Sequence, residues 1–272
     1  MQAEDRPRGK DNAASAGARE SLPAPFAGPF SRWLRDLEER HGALSLTELR
    51  KGVRALSSLY VERRRTGSSG AFAGAAKRAA FASYFAPLHF LQAQRAAAQL
   101  RPAVAIRRVI DLGAGSGAAG VAAATCLGAR QVLAVDQSGW ALGEARRTCA
   151  AFGLVCRTRR SRLPTGLPRV ERGDALVCGW FLNECDAPTR DALLDFLARA
   201  ARDALPVLVL EPLATRIVPW WEQAERALTR VGLRAEELRI PIERPEWIAR
   251  LDQASGLDHR ELGARVLYGP HL

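Results

Sequence analysis

The 272-residue sequence is short of lysine, of closely paired cysteines and of long apolar runs, and each shortage excludes something. Only Lys10, Lys51 and Lys77 are lysines, so nearly all of the 40 basic residues are arginine. No run reaches the roughly 18 uncharged apolar residues of a bilayer span, so neither a transmembrane helix nor a membrane partner is expected. The first thirty residues lack the apolar core of a secretory signal. Cys126, Cys149, Cys156, Cys178 and Cys185 form no Cys-x-x-Cys pair. An odd count without close pairs fits reduced thiols in a cytoplasmic protein. Cys149/Cys156 and Cys178/Cys185 share one spacing, but Cys149 falls on an expected helix and Cys156 and Cys178 on expected core strands. His41, His89, His259 and His271 are scattered. No metal site is expected.

What is present begins with a hydrophobic fraction of 47%, enough for a sizeable core, and a formal net charge of +11. A GC-rich genome explains arginine in place of lysine but not the excess of bases over acids. That excess points to a polyanionic partner such as RNA, with no DNA partner expected. Arg63, Arg64 and Arg65 form one cluster, and Arg157, Arg159, Arg160 and Arg162 another. If both face one side they make a phosphate-tracking rim; otherwise they are solvated charge.

Three sections follow from local composition. Residues 1–29, rich in Ala, Gly, Pro and charge, bury too little apolar surface to offset ordering entropy and read as a disordered tail. Residues 30–103 read as a helical lobe that caps the site. Trp33, Leu34 and Leu37 fall at helical spacing. Ser45 and Glu48 form a capping box ahead of a stripe of Leu46, Leu49, Val53, Leu56 and Tyr60. A flexible basic loop is expected over 63–74, then an Ala-rich helix over 75–100 broken at Pro87. From residue 104 short apolar runs alternate with helices. Strands are expected at 109–112, 131–135, 154–158, 175–181 and 207–210, with helices at 118–127, 140–152, 188–204 and 219–231. This alternation means an α/β protein with a doubly wound parallel sheet. Extended runs at 234–240 and 265–268, around a helix at 245–253, suit an antiparallel pair closing one edge.

The run Val109-Ile110-Asp111-Leu112-Gly113-Ala114-Gly115-Ser116-Gly117 ends a strand and opens a helix. Its glycines allow a sharp turn and close approach of a ligand to the helix N-terminus. The next strand ends in Asp136, an acid placed to accept the hydroxyls of an adenosine ribose. Gly115 to Gly120 is also a literal GxGxxG, so a dinucleotide must be weighed. Asp111 argues against it. A carboxylate two residues before the first glycine repels a pyrophosphate but suits the ammonium of a methionine moiety. S-adenosylmethionine is therefore the expected cofactor.

On these residues, 104–272 resembles the class I S-adenosylmethionine-dependent methyltransferase superfamily. Asp111–Gly117 stands as its first motif and Asp136 as its second. The resemblance implies a Rossmann-like, seven-stranded methyltransferase sheet. Val177-Cys178-Gly179-Trp180-Phe181-Leu182-Asn183-Glu184 is further similar to the fourth-strand motif of the small-ribosomal-subunit, mitochondrial-type methyltransferase-like family. Tyr84-Phe85-Ala86-Pro87 resembles that family's helix before the first strand, and Val209-Leu210-Glu211-Pro212 its fifth strand. Two departures stand out. Leu213 replaces the usual glycine after Glu-Pro, and no cysteine follows Cys185 to build the iron–sulfur cluster many members carry. The resemblance implies cofactor contacts from Asp111, Gly113, Ala114, Gly115, Ser116, Gly117, Asp136, Gln137, Ser138, Tyr84 and Phe181. The helix bearing Tyr84 is expected to cover the cofactor.

Methyl transfer from a sulfonium is an in-line displacement, so the protein chiefly positions the acceptor and excludes water. The acceptor belongs beyond strand four, where Trp180, Asn183 and Glu184 are the catalytic candidates. Trp180 or Phe181 stacks on a base or faces the sulfonium, and Asn183 holds an amino or amide group. No Asn-Pro-Pro-Tyr or Asp-Pro-Pro-Tyr run supports methylation of an adenine amino group. Cys178 and Cys185 read as small buried hydrophobes and His89 as a packing residue. The expected function is methylation of RNA, that of the small ribosomal subunit first, or help in its assembly. The alternatives are a small-molecule methyltransferase and a non-catalytic adenosylmethionine-binding assembly factor. A basic lip on an open cleft favours the first, and a closed aromatic cavity favours the second.

Overall fold

The computed structural model describes residues 28–41, 44–62, 74–241, 245–256 and 261–270. The tail up to residue 27, the cluster Arg63, Arg64 and Arg65 with its loop, the Tyr60 side chain, His259 and His271 lie outside the described residues.

Seven strands form one sheet: β1 (Arg108–Leu112), β2 (Gln131–Asp136), β3 (Val155–Arg160), β4 (Asp174–Gly179), β5 (Val207–Glu211), β6 (Arg234–Pro241) and β7 (Glu261–Gly269). Their order is β3-β2-β1-β4-β5-β7-β6. β7 runs antiparallel to both β5 and β6, while the remaining pairings are parallel. The expected closing pair is therefore present, and the sheet is the Rossmann-like one expected. Strand order reverses between β1 and β4. In open parallel sheets ligands bind at such a switch point, beyond the carboxyl ends of the strands.

Alternation along the strands divides the core between two faces. Val109, Ala175, Val177, Leu208 and Leu210 join one apolar cluster, and Ile110, Leu112, Leu176, Cys178, Val207 and Val209 the other. The first face is covered by α5 (Ala118–Leu127), with α6 (Gly139–Ala151) beside it against β2 and β3. The second is covered by α7 (Ala187–Arg202) and α8 (Trp221–Thr229). Seven of the ten α5 residues are buried, so it needs cover on its outer side as well. That cover is α4 (Ala86–Ala97), which packs along it.

The N-terminal helices α1 (Pro29–His41), α2 (Leu46–Glu62) and α3 (Ala75–Ala80) share the first cluster with the sheet. Trp33 and Phe90 both contact Phe152 after α6. Arg40 grips the buried Glu144 of α6 with bonds of 2.9 and 2.8 Å. Gln92 donates to the Gly263 carbonyl of β7 at 2.9 Å. The capping box forms in both directions: the Glu48 N–H donates to Ser45 Oγ at 3.3 Å, and the Ser45 N–H to Glu48 Oε2 at 2.9 Å.

Pro87 does not break its helix. The chain runs from α3 through a π turn, Phe81–Phe85, into α4, with Pro87 in the first turn of α4. There the Ala86 N–H reaches back to the Phe81 carbonyl, so the missing donor of proline falls where the ladder is already widened. β4 likewise ends at Gly179, two residues early, because Trp180 takes a left-handed conformation (φ 54°) and Leu182–Glu184 form a 3₁₀ turn.

Candidate active site

The glycine loop takes the conformations its sequence asks for. Gly113, Gly115 and Gly117 have φ of 68°, 53° and 76°, values costly for residues with a Cβ. Space is the second constraint. A Cβ on Gly113 would run into the Phe181 ring, and one on Gly115 would lie 3.1 Å from the Phe81 ring. Gly117 caps α5 and carries the helix N-terminus toward the loop.

Two carboxylates, Asp111 buried and Asp136 half-buried, flank the loop. Asp111 accepts the Gly120 N–H at 3.0 Å. Burial raises its pKa to about 7, against the pull of that bond. A Cβ on Gly120 would sit 2.5 Å from its Oδ2, so only glycine lets α5 come this close. Asp136, at the end of β2, accepts the Gly115 N–H at 2.9 Å on Oδ2 and the Ser138 N–H at 2.7 Å on Oδ1. Its pKa is also raised, by burial. The Gln137 N–H bonds this carboxylate as well, and of its about four acceptor sites one remains for a ligand hydroxyl.

Both carboxylates open on one cleft of about 540 Å³, within the range of small-molecule sites. The expected cofactor residues Gly113, Ala114, Gly115, Ser116, Gln137 and Ser138 line it, as do Trp180, Phe181, Glu184 and Asp186. The residues fit S-adenosylmethionine. Asp111 would meet the ammonium, Asp136 a ribose hydroxyl, and the glycine cradle leaves room that any Cβ would fill. When bound, the cofactor supplies an electrophilic methyl on a sulfonium.

Three expected residues are absent from the cleft lining: Gly117, which caps α5, and two whose side chains are engaged elsewhere. Tyr84 is fully buried and does not line the cleft; its hydroxyl donates to Asp252 on α9 (Glu246–Ser255). The π turn inserts a residue into the helical register, roughly a 100° rotation. Phe81 and His89 therefore face the cleft, while Tyr84 ties the lobe to α9. Asn183 is also absent from the cleft lining. Its backbone N–H and Nδ2 donate to the fully buried Glu211 at 3.2 and 2.6 Å. The Asn183 amide is thus engaged in holding the turn after β4. Burial pushes Glu211 up to about 8.

Sequence reasoning missed Phe81, His89, Gly120 and Glu211 as parts of this site. Gly120 and Glu211 stood inside quoted motifs, but only the packing shows what each touches. Phe81 and His89 left no signal once a regular helix was assumed. His89 stacks on Trp180 with ring centroids 3.9 Å apart and 8° between planes, and desolvation lowers its pKa to about 3.

Neither nearby thiol is a ready nucleophile. Cys178 is fully buried on the far face of β4 with its pKa well raised. Cys185 lines the cleft, but burial pushes it up to about 12. Of the arginines at 157–162, Arg162 lines the cleft; Arg157, Arg159 and Arg160 are exposed on β3, the edge strand leading to it. Among the described residues no group of three or more His, Cys, Asp or Glu is placed to hold a metal, and no helix is long and apolar enough to cross a membrane.

Residues 109–204 match the family model described as "Methyltransferase domain". No curated protein matches the chain. Among solved structures, the chain is similar to the N-methyltransferase NodS from Bradyrhizobium japonicum WM9, in complex with S-adenosyl-L-homocysteine: 13% identity, 79% of this chain and 98% of that chain covered, TM-score 0.47. It is similar to the mitomycin 7-O-methyltransferase MmcR at 16% identity, covering 90% and 73%, TM-score 0.46. The ribosomal protein L11 methylase from Lactobacillus delbrueckii subsp. bulgaricus gives 20% identity, 66% and 76% coverage, and a TM-score of 0.37. Likeness this remote carries nothing about the acceptor.

Proposed function

We propose that this protein, a class I S-adenosylmethionine-dependent methyltransferase, transfers the methyl group to RNA. Superfamily, enzyme class and cofactor stand on the match over 109–204 and on the strand order. The acceptor is our inference. The observation that carries it is the arginine-rich edge: Arg157, Arg159 and Arg160 are exposed along β3, and the next turn brings Arg162 to the cleft. With a chain charge of +11, this edge suits a backbone laid across β3 with one nucleotide entering the cleft. The likeness of Val177–Glu184 to a small-ribosomal-subunit family supports the same reading and makes that subunit's RNA the first to test.

The chain's own contribution is positional. Asp111 and Asp136 orient the donor, Phe81 and Phe181 exclude water above the glycine loop, and Trp180 and Glu184 border the acceptor's approach. Transfer needs no thiol, in keeping with the raised pKa of Cys185.

Charges on an edge strand commonly serve only to discourage pairing with another chain, so salt dependence is the deciding measurement. RNA affinity should fall log-linearly with salt, and Arg159→Ala/Arg160→Ala/Arg162→Ala should flatten the slope by about one unit per lost contact. Salt-insensitive binding would overturn the reading. Glu184 and Asp186 at the cleft favour a second reading, a small cationic or neutral acceptor. Faster turnover of such a molecule than of any RNA would establish it.

A further inference from the structure

We propose that His89 is a positioning residue that fixes Trp180 as the stacking wall for a planar acceptor ring. This deepens the RNA reading, and rests on it for the identity of that ring, an unstacked base.

Trp180 sits immediately beyond β4 with φ of 54°. For a bulky side chain this backbone is unfavourable and persists only where the surroundings impose it, a condition common at functional sites. Two contacts impose it here. The Trp180 N–H donates to the Leu210 carbonyl at 2.7 Å, so the backbone is fastened to β5. The indole lies parallel to the His89 imidazole at 3.9 Å. His89 is itself backed by Phe81 and Phe85, with centroids 6.4 and 6.2 Å away.

One face of the indole is therefore occupied, and the residue still lines the cleft. The ring cannot swing toward the lobe because His89 is there. The indole face opposite the imidazole, flat and apolar, is the one assigned to the acceptor. Such a wall gains contact with any aromatic ring and little with an aliphatic chain. Desolvation keeps the imidazole neutral, so the stack adds no positive charge near a sulfonium.

The test uses the full chain loaded with S-adenosylhomocysteine and a single-stranded RNA oligonucleotide carrying 2-aminopurine, whose fluorescence falls on stacking. Wild type should quench the probe. His89→Ala and Trp180→Leu should lose the quench and weaken oligonucleotide binding about tenfold, the loss of one stacked base. His89→Phe, which restores a flat ring, should bind within about twofold of wild type. S-adenosylhomocysteine affinity should change far less than oligonucleotide affinity in all three. Quenching that survives His89→Ala and Trp180→Leu overturns the proposal. So does a parallel loss of S-adenosylhomocysteine affinity and melting temperature that phenylalanine does not restore, the mark of a merely structural histidine.

Failure of the RNA reading is separable. If no oligonucleotide binds, labelled methyl transfer to heteroaromatic amines is compared with transfer to aliphatic amines. A preference for planar acceptors that His89→Ala abolishes and His89→Phe retains sustains this inference without RNA. Absence of that preference overturns it. Salt-dependent oligonucleotide binding with no role for the stack overturns it and leaves the RNA reading standing.

Discussion

Replacing Gly113 by alanine probes the closest packing in the site. Gly113 has φ of 68°, and holding an L-residue there costs roughly 1–2 kcal/mol. The added methyl would also enter the Phe181 ring, which must turn away. Forced repacking on that scale costs roughly 1–3 kcal/mol. Together these give about 2–5 kcal/mol, a large share of the roughly 5–15 kcal/mol that holds a domain folded. Urea denaturation of Gly113→Ala, Phe181→Ala and the double variant separates the two costs. The steric cost disappears when the ring is gone, while the backbone cost remains. The double variant should therefore be more stable than the sum of the single effects by about 1–3 kcal/mol. Additivity within about 0.5 kcal/mol would refute the claim that Phe181 lies over Gly113.

Two further outcomes follow. Asp111 and Glu211 have pKa values raised to about 7 and 8. Between the ordinary carboxylate range and those values the unfolded chain releases protons that the folded chain keeps. Their stabilising contribution is thus complete in acid and lost as pH rises through 7 and 8. The melting temperature of the ligand-free protein should fall across that window, and Asp111→Asn should flatten its lower half; an unchanged profile in that variant contradicts the assignment. Glu211→Ala should destabilise the fold by about 1–3 kcal/mol, because it strips the acceptor from the Asn183 side chain and N–H. Methyl transfer in that variant should fall more than S-adenosylhomocysteine affinity, since Glu211 holds the turn after β4 and is not in the cleft lining. Calorimetry against turnover checks the split.

The parts of the site that the sequence made legible depend on local rules. A glycine run after a strand, an acid closing the next strand and apolar alternation each constrain their own few residues, and the positive-φ loop at Gly113–Gly117, the place of Asp136 at the end of β2 and the parallel sheet with its antiparallel edge pair followed from them. What stayed hidden depends on the register of one helix. Pro87 reads as a break under a 3.6-residue count, and the family resemblance points to Tyr84 as the lid residue. The π turn at Phe81–Phe85 instead absorbs the proline and presents Phe81 and His89 to the cleft. Asn183 misled for a different reason. Its amide suits an acceptor, but Glu211, distant in sequence, claims it from inside the core.

We propose that S-adenosylmethionine lies between Asp111 and Asp136 over the glycine loop. Titration calorimetry of wild type and Asp136→Ala with S-adenosylhomocysteine tests it most directly. Removing Asp136 leaves a ribose hydroxyl unpaired in a buried site, at a cost of about 1–3 kcal/mol, roughly five- to 150-fold in affinity. Heat release in wild type with that weakening in the variant is the predicted result. Equal affinity in the two proteins would contradict the placement of the cofactor.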